Sequence, residues 1–198
     1  MTTIDYYLSP VSPWTHLGHA RLLAIAARHG ATIDVRPVDF GRVFAASGGL
    51  PLKQRSLQRQ EYRMTELRRW RDFLAIPINL EPRFFPVSAD LASKAIIAAA
   101  TGGTDRQLQL AGALMKACWE EERDVSDTAT VAAIAGACGF DGDALLVTAQ
   151  SAGTGKTYDA LTQEAIDRKV FGAPTYVIDG ELFWGQDRLD FVDRALQR

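Results

Sequence analysis

Strand-like sequence is confined to the two ends of this chain, and this distribution limits the folds available to it. Residues 4–8 and 32–38 carry the aromatic and branched side chains typical of strands, as do residues 175–179 and 181–184. Between about residues 53 and 169 the apolar positions instead recur at helical spacing, with recognisable helix starts and stops. A sheet large enough to bury its faces therefore needs both ends of the chain.

The order of these elements predicts the topology of that sheet. The first two strands flank a helix that begins at Pro13, which predicts a parallel β-α-β unit with a right-handed crossover. The last two strands flank Asp179-Gly180, a hairpin signal, and a final helix follows them. This order resembles that of thioredoxin-like proteins, and the resemblance implies an α/β protein with a thioredoxin-like fold, in which residues 1–50 and 166–198 form the sheet domain. Residues 51–165 are predicted to form a large, all-helical inserted domain.

The junction between the first strand and the first helix reads Ser9-Pro-Val-Ser-Pro-Trp-Thr15. Ser12 has the position of a helix N-cap and Pro13 that of the first helical residue. Thioredoxin-like proteins carry a reactive Cys-Pro-x-Cys here, and Ser12 and Thr15 replace its two cysteines, which excludes dithiol chemistry at this place. A hydroxyl at a helix N-terminus can still bind an anion, such as the thiolate of a ligand. Plain capping by Ser12 is the alternative.

Two further segments have the chemistry of a ligand site. Pro174 begins a strand after a helix, where thioredoxin folds carry a cis-proline, and such a bond exposes the main chain of Ala173 to a peptide ligand. Alternatively, Pro174 merely ends the helix. Gln186 and Asp187 fall at the start of the last helix, where free N–H groups suit a carboxylate and Asp187 suits an ammonium. Simple capping by Asp187 is the alternative there.

Three segments of the chain resemble 2-hydroxychromene-2-carboxylate isomerase: residues 5–14, 170–175 and 179–192. That family lies with the kappa-class glutathione transferases in the DsbA-like group of thioredoxin folds, and the resemblance covers nearly the whole chain. It implies a glutathione-dependent isomerase of 2-hydroxychromene-2-carboxylate, giving trans-o-hydroxybenzylidenepyruvate, or of a close analogue in aromatic degradation. Glutathione would be the cofactor and a small aromatic molecule the substrate, and the family suggests a homodimer.

The resemblance also implies roles for individual residues. Ser12 would be the catalytic residue, contacting the sulfur of glutathione and activating its thiol. The main chain of Ala173, before a cis Pro174, would hold the cysteinyl part. The residues implied at the γ-glutamyl end are Gln186, Asp187 and Arg188.

Basic and aromatic side chains supply further candidates. A basic run comprises Lys53, Arg55, Arg59, Arg63, Arg68, Arg69 and Arg71. Most of this run is expected on a solvated helix face. One or two members, with Lys53 the nearest to the loop, are expected to meet a carboxylate of glutathione or substrate. Trp14, Phe84 and Phe85 are candidates for the wall of the aromatic pocket, although aromatic residues are more often core.

Composition excludes several classes of function. A net charge of −2 provides no global field for nucleic acid, and the apolar runs are too short to span a bilayer. Two cysteines without ligand spacing indicate neither a metal site nor a disulfide scaffold. With no secretory signal pattern, we expect a cytoplasmic protein. Two other functions stay open: a kappa-like glutathione transferase or peroxidase, and a non-catalytic thioredoxin-fold binding protein.

Overall fold

The structure is a computed structural model that describes residues 2–197, and its four strands form one mixed sheet in the order β2-β1-β3-β4. The strands are β1 (Thr3–Leu8), β2 (Thr32–Pro37), β3 (Thr175–Ile178) and β4 (Glu181–Trp184). β2 lies parallel to β1, whereas β3 is antiparallel to β1 and to β4. The predicted β-α-β unit and the predicted hairpin are therefore both confirmed, and the central strand pairs with the last strands of the chain.

Within residues 2–197, nine α-helices surround or extend this sheet. They are α1 (Pro13–His29), α2 (Phe40–Ser47), α3 (Leu57–Leu74), α4 (Asp90–Ala98), α5 (Thr104–Trp119), α6 (Thr128–Ala137), α7 (Gly142–Ala149), α8 (Ala152–Asp167) and α9 (Leu189–Ala195). Short 3-10 turns occupy Leu52–Gln54, Ala99–Gly102 and Gln186–Arg188. The sequence patterns do not predict α2, which is capped by the Asp39 carboxylate bound to the Gly41 N–H at 2.8 Å.

The helical segment shares one hydrophobic core with the sheet. Tyr6 of β1 and Leu114 and Trp119 of α5 are all completely buried in the same cluster. His19 of α1 links these layers, because its Nε2–H donates to the Leu108 carbonyl at 3.1 Å while Nδ1 accepts from the Tyr6 hydroxyl at 3.3 Å. Burial lowers the pKa of His19 to about 4, so the ring stays neutral. His19 thus joins the central strand β1 to α1 and α5.

Candidate active site

A cleft of about 500 Å³ separates two walls of different construction. The first, here called the sheet wall, comprises Trp14, Ala173 and residues 184–188. The second, here called the helix wall, comprises the cleft-facing side chains of residues 55–70, from the end of a 3-10 turn through most of α3. Its members are Arg55, Gln58, Arg59, Tyr62, Arg63, Glu66 and Trp70.

Ser12 stands at the start of α1, two residues before Trp14 of the sheet wall, and is not itself among the residues that line the cleft. Its Oγ accepts a hydrogen bond from the Thr15 N–H at 3.3 Å, which confirms the predicted N-cap. Within residues 2–197 the hydroxyl hydrogen of Ser12 meets no acceptor, so it is available to a ligand. The buried Thr15 hydroxyl also lacks a hydrogen-bond partner among residues 2–197.

The peptide bond between Ala173 and Pro174 is cis, as predicted. The Pro174 carbonyl accepts from the Gly185 N–H at 2.9 Å, which fixes the start of β3 against the turn after β4. Ala173 lies in the cleft wall, and across residues 2–197 neither its N–H nor its carbonyl is paired. An extended peptide could therefore pair with it.

Trp184 covers this bend and forms a large part of the sheet wall. Its side chain is 50% exposed and packs at an angle on Phe171, with 4.8 Å between the ring centroids. A Cβ built on Gly172 would lie only 2.2 Å from Nε1 of Trp184, so glycine is required beneath this ring. The indole is thereby held against the backbone next to Ala173.

Gln186 is the best-supported residue of the sheet wall, with only 2% of its surface exposed. Nη1 of Arg21, on α1, donates to the Gln186 side-chain oxygen at 2.6 Å and to its main-chain oxygen at 3.1 Å. The sequence patterns do not single out Arg21, and no local signal could, since 165 positions separate the partners. Arg21 fixes which end of the amide accepts and leaves the amide nitrogen unpaired among the described residues.

Asp187 and Arg188 complete the sheet wall at its solvent side. Both are exposed, and Nη1 of Arg188 donates to the Asp187 carboxylate at 2.8 Å. Gly185 allows this arrangement because its φ is 106° and a Cβ there would lie 2.4 Å from the other Asp187 oxygen. The Asp187 carboxylate is thus an exposed member of the cleft lining that has Arg188 as its cation partner.

Three arginines give the helix wall its charge. Arg55, Arg59 and Arg63 lie four residues apart and all face the cleft. Throughout residues 2–197, no carboxylate lies within ion-pair distance of any of the three. Glu66, the acidic member of this wall, is already paired with Arg69 at 2.7 Å. The wall therefore presents unneutralised positive charge to a ligand.

The other residues of the predicted basic run do not line the cleft. Lys53 lies exposed on the turn before α3, and Arg68, Arg69 and Arg71 also lie outside the lining. Arg55, Arg59 and Arg63 are spaced by four residues, and so are Tyr62, Glu66 and Trp70. Residues at this spacing lie on one side of a helix, so the spacing is the signal that could have identified the cleft-facing side.

The three aromatic candidates have different positions. Trp14 lines the cleft and packs on the core. Phe84 is partly exposed, with the Arg83 guanidinium 5.2 Å from its ring centroid, and is not among the lining residues. Phe85 packs on Trp119 with 4.8 Å between centroids and reaches the cleft only through Arg63, whose guanidinium lies 5.5 Å from its ring.

Metal and thiol sites are not indicated in the described part of the chain. Among residues 2–197, no group of three His, Cys, Asp or Glu side chains is placed to hold a metal ion. Both cysteines are buried and free, and burial raises the pKa of Cys118 to about 12. Within residues 2–197, no helix combines the length with the apolar character that a membrane crossing demands.

Comparisons with known proteins agree on the fold and on the kind of enzyme to which this chain is similar. A family model described as DSBA-like thioredoxin domain matches residues 3–197. A 2-hydroxychromene-2-carboxylate isomerase of Sphingobium xenophagum is 32% identical over 196 residues, covering 98% of this chain and 97% of its own. The isomerase of the same name from Pseudomonas putida is 29% identical over 196 residues, covering 98% of this chain and 94% of its own.

Solved structures extend this likeness to three dimensions. A structure of 2-hydroxychromene-2-carboxylate isomerase superposes with a TM-score of 0.84 at 27% identity, covering 99% of this chain and 95% of its own. A probable DsbA oxidoreductase from Streptomyces coelicolor superposes with a TM-score of 0.80 at 16% identity, covering all of this chain and 89% of its own. The second likeness concerns the fold alone.

Proposed function

Because the chain belongs to the family of DSBA-like thioredoxin domains and is an isomerase, we propose a specific reaction for it. It isomerises 2-hydroxychromene-2-carboxylate, or a close aromatic analogue, with glutathione as its cofactor. The product would be trans-o-hydroxybenzylidenepyruvate. The observation that carries the proposal is the free hydroxyl hydrogen of Ser12, at the N-terminus of α1 and two residues before Trp14, which lines a cleft of about 500 Å³.

The donors and acceptors of the cleft fit glutathione. This tripeptide presents an ammonium, two carboxylates, two peptide groups and a thiol. Asp187 would take the ammonium, the unpaired main chain of Ala173 the cysteinyl peptide group, and Arg55 and Arg59 the carboxylates. A volume of about 500 Å³ lies within the range of small-molecule pockets, roughly 300–1,000 Å³. The unpaired amide nitrogen of Gln186 offers one more donor.

The energetics favour a direct role for Ser12. A free thiol with a pKa of about 8.5 is only a few per cent ionised near neutrality. Lowering that pKa by about two units needs roughly 2.7 kcal/mol of selective stabilisation of the thiolate. A helix N-terminus contributes about 0.3–1 kcal/mol, or up to about 2 kcal/mol when partly buried. A charge-assisted hydrogen bond from the Ser12 hydroxyl would add about 1.5–3 kcal/mol, so the two together suffice where the dipole alone falls short.

The reaction divides the work between cofactor and chain. Glutathione brings, when bound, a nucleophilic sulfur that can add reversibly to a conjugated ring system and leave unchanged. Ser12 would hold its hydroxyl hydrogen towards that sulfur. Trp14 and Trp184 would shield the reacting groups from water.

Mixing the protein, glutathione and a hydroxychromene carboxylate tests the proposal. We expect a change in the substrate's absorption spectrum that needs glutathione, while the amount of glutathione stays constant. Stoichiometric consumption of glutathione would instead indicate a transferase of the kappa-class type. A protein that neither changes the spectrum nor binds glutathione in a calorimetric titration would be a binding module, and the proposal would be wrong.

A further inference from the structure

Arg63 is a partly buried cation without a counter-ion. Its side chain projects from α3 into the cleft, and its guanidinium lies 5.5 Å from the centroid of the Phe85 ring. The one hydrogen bond it donates goes to Sδ of Met64 at 3.6 Å, a weak acceptor. A guanidinium has five N–H donors, so most of its hydrogen-bonding capacity is unused by the described chain.

The charges around Arg63 make this arrangement unfavourable in the absence of a ligand. Burial and the charge of Arg55 lower the pKa of Arg63 to about 10, so it remains a cation at neutral pH. The acidic residues of the cleft do not relieve it, because Glu66 is paired with Arg69 and Asp187 with Arg188. A buried charge usually has a partner, and the partner missing here is an anion.

Arg63 differs from the two other arginines of the helix wall. Arg55 donates through Nε to the Leu50 carbonyl at 2.8 Å, and Arg59 is exposed to solvent. These two suit the hydrophilic carboxylates of a tripeptide. Arg63 lies over Phe85, which packs on the completely buried Trp119, so it borders the apolar interior. Its surroundings therefore suit an anionic group that is attached to an apolar one.

We propose that Arg63 binds the carboxylate of the aromatic substrate and makes the cleft selective for aromatic carboxylates over uncharged aromatic molecules. This assignment rests on the proposed function for the identity of the substrate. Contact with the Phe85 ring restricts the guanidinium, which can then form two parallel hydrogen bonds with a carboxylate. Trp14 and Trp70, both cleft residues, offer faces against which the substrate ring can stack.

A pair of matched probes tests Arg63 without any need for turnover. 2-Naphthoate and its uncharged amide, 2-naphthamide, differ in charge but hardly in shape. Isothermal titration calorimetry would measure both with the wild type, with Arg63→Gln, and with Arg68→Gln as control. Arg68 is an exposed arginine of the same helix that does not line the cleft. Glutathione would be titrated into all three proteins, and thermal unfolding would establish that each is folded.

We expect the wild type and Arg68→Gln to bind 2-naphthoate roughly tenfold or more tightly than 2-naphthamide, as a charge-assisted pair allows. Arg63→Gln should lose this preference while its glutathione affinity stays within about twofold. A retained preference in Arg63→Gln, or no binding of 2-naphthoate to the wild type, would overturn the assignment. So would an Arg63→Gln protein that loses glutathione binding, since Arg63 would then serve the tripeptide.

The outcome is separable from that of the proposed function. If Arg63→Gln loses the preference for 2-naphthoate but no chromene is isomerised, the carboxylate site stands and the function fails. If chromene is isomerised while the preference survives in Arg63→Gln, the function stands and the assignment of Arg63 fails.

Discussion

The two walls of the cleft contrast in how they are supported. In the sheet wall, Gln186 is almost fully buried and bound twice by Arg21, and Trp184 rests on the backbone of Gly172. In the helix wall, α3 buries only Leu67 of its 18 residues within the described chain. The sheet wall therefore has a shape set by packing, whereas the helix wall supplies charge and aromatic surface from side chains that keep more freedom.

This contrast has an experimental meaning. Substitutions in the sheet wall should change folding stability and ligand affinity together, because the same packing serves both. Substitutions in the helix wall should change affinity and leave stability nearly unaltered, since little is buried there. Ser12 belongs to neither wall. It contributes one hydroxyl hydrogen, which would bind the thiolate, so its removal should lower the rate of turnover.

Ser12→Ala should have the largest effect. We expect turnover of the chromene carboxylate to fall by about 10- to 100-fold, because the hydrogen bond to the thiolate, worth about 1.5–3 kcal/mol, is lost. The thiol of bound glutathione should also titrate closer to its free pKa, a change measurable from thiolate absorbance. Glutathione affinity should fall only modestly.

A matched control separates this chemical role from helix capping. Ser151 caps α8 as Ser12 caps α1, accepting from the Thr154 N–H at 3.2 Å, and it lies outside the cleft. Both alanine variants should lose about 1 kcal/mol of unfolding free energy in denaturant titrations. Ser151→Ala should retain wild-type turnover, and equal turnover in Ser12→Ala would remove Ser12 from the mechanism.

Gly172→Ala should have an intermediate effect and tests the support of the sheet wall. The new methyl group would overlap Nε1 of Trp184 and displace the indole, at a cost of about 1–3 kcal/mol in unfolding free energy. Glutathione affinity should fall in parallel, as measured by calorimetry. Gly155→Ala is the control, since a Cβ there meets nothing within 4 Å and Gly155 lies inside α8. That variant should be stabilised by up to about 1 kcal/mol, with unchanged binding.

Arg59→Gln should have the smallest effect and tests the helix wall. We expect glutathione affinity to fall a few-fold, with unfolding free energy within about 0.5 kcal/mol of the wild type. The loss should shrink as salt is added, because the contact is exposed and screened. A clear loss of stability in this variant would contradict the division between the two walls.

Local signals predicted the features that depend on neighbouring residues. The Ser12 cap and the Asp179-Gly180 hairpin are each specified by a few adjacent side chains. The cis bond before Pro174 is predicted from the order of the strands and helices at the two ends of the chain, which matches thioredoxin-like folds. The Arg21–Gln186 contact is different, since it depends on how α1 meets the turn after β4. Tertiary packing alone determines this contact between α1 and the turn, so no short segment of the sequence can predict it.

For the helix wall, the sequence predicts the basic residues but not which of them line the cleft. A basic run could be recognised, but which of its members face the cleft depends on how α3, with its buried Leu67, packs against the rest of the described chain. The homodimer and the cytoplasmic location stay predictions. The ligand roles of Lys53, Phe84 and Phe85 also stay predictions, although none of these three lines the cleft.

The strand order has a consequence for how the protein is made. β1 is a central strand, yet its second neighbour, β3, is synthesised more than a hundred residues after β2. At about 5–20 residues per second, a ribosome needs on the order of 10 s to cover that interval. During this time one long side of β1 has no partner strand, and the nascent chain exposes an unpaired strand edge. A chaperone that shields such an edge would be needed most before residue 175 emerges.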